Sequence, residues 1–230
     1  MLIDVIILTN SHDDFLIWMA RRTIKTILES ETDIEFNIIV VESVRNVERK
    51  YADLCQHYIF PNEPFNYNKF LNIASQYCKG DWVIISNNDV SYEYGWLTEI
   101  FKVHEARPDI ESFSPKDPLF FMSFWGDTFL GTNDMYIENY QVSKFLMGWS
   151  LVVKKSAFDK VLPFDEQFDM YYQDNDYAEV LKLNRIKHAL VRRSIASHYN
   201  TLNAKIIKDE IKSKMKEDEL KFRNKWKIYT

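Results

Sequence analysis

Glycine and proline are scarce in this sequence, with five and six residues in 230. So few chain breakers exclude a disordered or collagen-like chain and argue against a barrel of many tight turns. Cysteine is scarcer still. Cys55 and Cys78 stand far apart and match no metal-ligand spacing, and the simplest setting for them is a reduced, cytoplasmic one. No apolar run approaches the ~20 residues that cross a bilayer, so no integral membrane segment is expected. The N-terminus enters strand-like residues directly, without the pattern of a signal peptide. An excess of positive charge is also missing: 29 Lys and Arg against 34 Asp and Glu leave a net charge of -5. That excludes a strong general attraction to polyanions, though not a local basic groove.

What is present is material for a core. Hydrophobic residues make up 46% and aromatics 15%, enough for one large domain. Leu2 to Leu8 is a continuous apolar run broken only by Asp4, and it predicts a buried first strand. Phe15, Leu16, Trp18, Met19, Ile24, Ile27 and Leu28 then recur at helical spacing. Phe36 to Val41 predicts a second strand, Arg45 to Gln56 a short helix, His57 to Phe60 a short strand, and Phe65 to Cys78 a helix. Trp82 to Ile85 is the third long apolar run, and Trp96 to His104 marks the next helix, which stops before Pro108. Strand and helix alternate through this half, the pattern of a doubly wound parallel sheet. It carries neither G-x-G-x-x-G nor G-x-x-x-x-G-K, which excludes a dinucleotide fingerprint and a P-loop.

The second half loses the alternation. Glu111 to Tyr140 and Phe145 to Val153 read as strand-like and Lys155 to Val161 as a helix. Pro163 to Asp176 reads as an acidic loop, Tyr177 to Leu183 as a helix, and His188 to His198 as one or two strands. From Asn203 a charged helix begins, with Lys205, Lys208, Lys212, Lys214 and Lys216, and a solvated face is the expected role of such a run.

The stretch that carries chemistry is Ser86-Asn87-Asn88-Asp89, where a buried strand ends abruptly in two amides and a carboxylate. In an open α/β sheet, ligands collect outside the carboxyl ends of strands. Oxygen donors there suit a hard divalent cation and the phosphates it binds. Asn and Asp also favour plain turns, and this stretch alone leaves both readings open.

Several segments, taken in order, resemble the family 2 nucleotide-sugar glycosyltransferases of GT-A fold, over roughly residues 2 to 202. Thr9-Asn10 resembles the first nucleotide loop, and Val40-Val41-Glu42-Ser43 the second strand tip, where an acid contacts base or ribose. Pro64 to Ala74, with Asn68, resembles the segment before the metal strand, and Asn87-Asn88-Asp89 the D-x-D motif. Gly148 to Ala157 and Pro163 to Glu166 resemble the acceptor-side strand and loop. Tyr172-Gln173-Asp174-Asn175-Asp176 is similar to E-D-x-D, and His198 stands where a histidine often completes the metal site. Two positions depart from the pattern, Asn87 for the first D-x-D acid and Gln173 for a glutamate.

The resemblance implies an α/β chain with a Rossmann-like, mostly parallel central sheet, helices on both faces and a smaller acceptor-side region. Residues 1–106 would bind the nucleotide, 107–202 the acceptor, and 203–230 would form the terminal helix. It implies a metal-dependent, inverting transferase using a nucleotide-sugar donor, a UDP-sugar first among them, with Mn²⁺ or Mg²⁺ on Asp89 and His198. Thr9, Asn10, Glu42, Asn68, Asn87 and Asn88 would bind the donor. Asp174 would be the general base, and Trp149, Gln173 and Asp176 would meet the acceptor. A glycan or lipid-linked sugar is the default acceptor. The alternatives are a hydroxylated DNA base, as in phage-type enzymes, and a non-catalytic nucleotide-sugar binding module.

Overall fold

Nine strands are described, and they make one mixed sheet. The computed structural model describes residues 1–44, 50–118, 135–199 and 208–228. The strands are β1 (Leu2–Thr9), β2 (Glu35–Glu42), β3 (His57–Ile59), β4 (Trp82–Ser86), β5 (Val90–Tyr92), β6 (Ile110–Lys116), β7 (Tyr136–Glu138), β8 (Ser150–Lys154) and β9 (Lys187–His198). The helices are α1 (Asp14–Ser30), α2 (Tyr67–Ser75), α3 (Trp96–Ala106), α4 (Lys155–Val161), α5 (Gln173–Leu183) and α6 (Lys208–Trp226). The sheet order is β3-β2-β1-β4-β8-β6-β9-β5, with β7 added on β9.

Parallel pairing runs without a break through the first half and returns in the second between β6 and β9. β3, β2, β1 and β4 run parallel, whereas β8 enters antiparallel between β4 and β6. The apolar runs hide an alternation that only the two packed faces reveal. Ile3, Val5, Ile7, Trp82 and Ile84 face α1 and α3; Ile6, Leu8, Val83 and Ile85 face α2, α4 and α5. A strand buried on both faces has no polar side to display, so its sequence reads as continuous. Asp4, the one break in the first run, is fully buried and accepts from Asn37 Nδ2 and the Gly80 N–H, both at 2.7 Å. Gly80 sits so close to β1 that a Cβ would stand 2.5 Å from the Leu2 carbonyl oxygen.

Several expected boundaries move. Val90–Tyr92, unmarked in the sequence, pairs with β9. Helix α5 begins at Gln173, four residues before the expected start, because Tyr172 in a left-handed conformation (φ 62°) turns the chain into it. β8 begins at Ser150, so Gly148 and Trp149 lie in the turn before it. Residues 51–54 form turns rather than a helix; 45–49, 119–134 and the expected helix start at Asn203, with Lys205, lie outside the described residues. No helix among the described residues is long and apolar enough to cross a membrane.

Candidate active site

The order of strands reverses between β1 and β4, so their carboxyl ends open a crevice at the switch point. β1 and β2 end in register, Thr9 opposite Glu42, and Ser86 of β4 lies opposite Ile7. The chain beyond β4 folds back as β5, antiparallel to the end of β9, with Val90 opposite His198.

This hairpin-like return brings Asp89 and His198 together across 109 positions of sequence: Nε2 of His198 is 3.1 Å from Oδ1 of Asp89. Asn87 Nδ2 lies 3.4 Å from the same ring nitrogen. Trp149 stacks on the imidazole, centroids 5.2 Å apart and planes within 15°, and its carbonyl accepts from the Asn87 N–H at 2.9 Å. The Tyr199 N–H donates to the Asp89 carbonyl at 3.0 Å. The expected metal pair and Asn87 therefore meet at one point, with the partly buried Trp149 stacked on the histidine. Asn88, next to them, is buried.

One carboxylate oxygen and one imidazole nitrogen suit Mn²⁺ or another divalent cation. Among the described residues no third His, Cys, Asp or Glu joins them to complete a cluster. A two-donor set of this kind fits a cation whose remaining ligands come from a diphosphate and water.

At the tip of β1 and β2 the carboxylate of Glu42 is fully buried, and a buried charge must find donors. It finds three: Thr9 Oγ1 at 2.9 Å, the Ser11 N–H at 3.1 Å and the Val44 N–H at 2.9 Å. Glu42 and Thr9 thus shape the loop that carries half-buried Asn10. Asn68 is likewise engaged. Its Nδ2 donates to the Asp165 carbonyl at 2.8 Å, so it ties α2 to the loop that precedes α5. Asn66 and Asn72 do the same: Asn66 Nδ2 donates to the Glu166 carbonyl at 2.8 Å, and Asn72 exchanges two bonds with Phe164, at 2.9 and 2.8 Å.

Asp174 lies in the first turn of α5, where it lines a small cavity with Tyr67, Asn68, Ile85, Gly148 and Gln173. The cavity measures about 20 Å³, room for a single water. Burial raises the Asp174 carboxyl above its ordinary value, opposed by backbone N–H groups, that of Asn175 at 2.9 Å from Oδ1. The same burial, with Asp174 as neighbour, raises the Tyr67 phenol. Gly148 is what lets Asp174 in: a Cβ there would stand 2.6 Å from Asp174 Cβ and 2.8 Å from its Oδ2. Gln173 Oε1 is buried and has no hydrogen-bond partner among the described residues.

Asp176, expected on the acceptor side with Gln173, is instead held from behind. Its carboxylate accepts from Lys225 Nζ at 2.7–2.9 Å and from the Trp226 indole N–H at 2.8 Å. Burial still raises its carboxyl, opposed by those two donors. The structure also adds residues the sequence reading did not single out. Asp117, just beyond β6, accepts from the His198 N–H at 3.3 Å, and an acid at a strand end is the same signal that marked Asp89. Tyr67, Lys225 and Trp226 carried no local signal, except that a lone Trp in a polar helix invites the question of what it covers. A larger polar groove of about 530 Å³, lined by Glu31, Tyr94 and Arg193 among others, contains none of the expected site residues.

The fold is found in solved structures. It is similar to GalNAc-T7 with UDP, GalNAc and Mn²⁺, with a TM-score of 0.65 and 10% identity over 86% of this chain and 43% of that one. It is also similar to the mannosyltransferase PcManGT from Pyrobaculum calidifontis in complex with GDP-Man and Mn²⁺, with a TM-score of 0.63 and 15% identity over 85% and 56%. The chain thus spans about half the length of these two proteins. At such identities the likeness concerns the fold, which is GT-A. No curated protein sequence matches the chain. The family described as glycosyl transferase family 2 matches residues 18–159, more than half of the sequence, and the chain belongs to that family.

Proposed function

We propose that this chain is a divalent-metal-dependent, inverting glycosyltransferase. It moves a sugar from a nucleotide-sugar donor, a UDP-sugar first among them, to a hydroxyl of a glycan or lipid-linked sugar. The observation that carries the reading is the meeting of Asp89 and His198 at the switch-point crevice. The two solved relatives, each with a nucleotide or nucleotide sugar and Mn²⁺, support it.

Asp89 and His198 would hold the cation, which would stabilise the charge that gathers on the departing diphosphate. The buried Glu42 keeps the first loop in shape for the nucleotide, with Asn10, Asn87 and Asn88 as its polar edge. Asp174 takes the proton of the acceptor hydroxyl as that oxygen bonds to the anomeric carbon and the bond from that carbon to phosphate oxygen breaks. Its raised carboxyl makes it a better proton acceptor than an ordinary aspartate. A single displacement inverts the anomeric centre. Gln173 Oε1 accepts from a second group of the acceptor.

The test is donor turnover. The protein is incubated with UDP-glucose, UDP-galactose, UDP-N-acetylglucosamine, UDP-N-acetylgalactosamine and GDP-mannose, with Mn²⁺ or with EDTA. Released nucleoside diphosphate is measured, and the configuration of the freshly released sugar is read by NMR. The proposal expects Mn²⁺-dependent release from one of them with inversion. Retention of configuration, or equal release in EDTA, overturns it.

A further inference from the structure

We infer that the terminal helix α6 is a positioning element for Asp174, holding the first turn of α5 from the side away from the cleft. The inference rests on Asp174 as the base proposed above.

A charged helix with no apolar stripe is ordinarily a solvated one. α6 departs from that. Asp218 is fully buried and Phe222 nearly so. Its side chains take hold of the 165–176 segment one after another. Lys214 Nζ lies 3.0 Å from Asp169 Oδ1, and Lys221 Nζ donates to the Gln167 carbonyl at 3.2 Å. Asp218 Oδ2 accepts from the Tyr171 N–H at 3.2 Å, and the Phe222 ring packs 5.5 Å from that of Tyr172. Lys225 Nζ reaches Asp165 at 2.8 Å and Asp176 at 2.7 Å, and the Trp226 N–H reaches Asp176 at 2.8 Å.

Helical geometry turns these contacts into an aim. Tyr172 and Asp176 are four residues apart and share a face, and the Asp176 N–H donates to the Tyr172 carbonyl at 2.8 Å. Asp174, two residues from each, projects from the opposite face, since each residue turns about 100°. α6 holds the face of Tyr172 and Asp176. Asp174 is thereby directed at Gly148, where the absence of a side chain admits it. The left-handed Tyr172 that sets this turn is itself fastened by α6, through its ring and through the N–H of Tyr171.

The titratable groups facing Asp174 are Tyr67 from α2 and Tyr177 of α5, with Tyr172 near it on the other face of the turn, each raised by burial and neutral in the acid range. On the α6 side stand Lys225, with its partners Asp165 and Asp176, and, beside Tyr172, Glu219 and Arg223.

The experiment compares the parent with Trp226→Phe, Lys225→Met and the double variant. One readout is the carboxyl ¹³C titration of Asp174, assigned by its loss in Asp174→Asn. The other is nucleoside diphosphate release from the five sugar nucleotides above with Mn²⁺. The inference expects the Asp174 midpoint to fall toward the ordinary carboxylate range in the double variant, as water enters a loosened turn. The Asp109 midpoint, set by Arg107 and Lys187 elsewhere, should stay in place. Release should drop at least tenfold with donor KM within twofold, and Lys225→Arg should restore it. An unmoved Asp174 midpoint in a folded double variant overturns the inference and leaves α6 as packing. Should the double variant not fold, Trp226→Phe, which keeps a six-membered aromatic ring and loses the pyrrole part with its N–H, decides by the same midpoint. Asp174→Asn with parental release would overturn the base itself, whereas the midpoint still reports on the clamp.

Discussion

The two sides of the crevice are held in different ways. On the donor side, the loop after β1 closes on itself and on the neighbouring strand tip: Glu42 gathers Thr9, Ser11 and Val44. On the side proposed for the acceptor, the segment 164–176 is fastened by residues far along the chain. Asn68 and Asn72 hold it from nearly a hundred positions before, and Lys225 and Trp226 from about fifty after. A loop tied to its own neighbours keeps its shape whatever the rest of the chain does. A loop tied from outside depends on the elements that tie it, and α5 carries the contrast down to two residues. Asp174 and Asp176 share a burial that raises both carboxyls, yet Asp176 is held by a lysine and an indole, while Asp174 is answered by backbone N–H groups.

That difference can be broken from its strongest point downward. Asp174→Asn should lower donor turnover by about 10²–10⁴-fold, the range of a lost general base. It should also stabilise the fold at neutral pH. A carboxyl whose folded pKa is raised binds its proton more tightly folded than unfolded, so stability falls as pH rises from the unfolded value through the folded one. Melting curves of parent and variant should converge toward pH 4 and separate toward pH 8, the variant higher.

Gly148→Ala comes next, because its methyl would sit 2.6 Å from Asp174 Cβ. Turnover should fall by about 10²-fold, as for an ångström-scale misplacement of a reacting group. Denaturant melts should show a loss of about 1–3 kcal/mol from overpacking. Asp176→Ala reverses the sign seen at Asp174. It leaves Lys225 and the Trp226 N–H without their partner and should cost about 2–3 kcal/mol by urea unfolding. Asn72→Ala is the mildest, at about 1–2 kcal/mol, since it removes two neutral bonds to the Phe164 backbone and one exposed bond to Glu166. Its turnover should fall less than that of Gly148→Ala.

The donor side was also the legible side. The buried strands and their polar tips follow from local runs and their order, whereas the meeting of Asp89 and His198 is implied only by the family resemblance. The parallel sheet was read correctly for the first half, where strand and helix alternate. Local pattern could not show β8 entering antiparallel, because the apolar run Leu151-Val152-Val153 reads the same in either direction. The same limit applies to side-chain engagement. The resemblance assigns Asn68 and Glu42 to the donor, but nothing in their own segments tells that a carbonyl at Asp165 engages the one and the N–H groups of Ser11 and Val44 the other. The lysines of the last helix read as a solvated run, and only the packed chain shows Lys214 and Lys221, and Lys225 beyond them, meeting the acids and carbonyls of the 165–176 segment.

Calorimetric titration of UDP, GDP, CMP, dTDP and ADP, each with Mn²⁺ and with EDTA, tests the central claim most directly when run on the parent and on Asp89→Ala. The account predicts that one nucleotide binds the parent only with Mn²⁺, and that Asp89→Ala weakens it at least tenfold while keeping the parental fold by circular dichroism. Binding of equal strength in EDTA or in Asp89→Ala, or none of the five binding the parent, would contradict it.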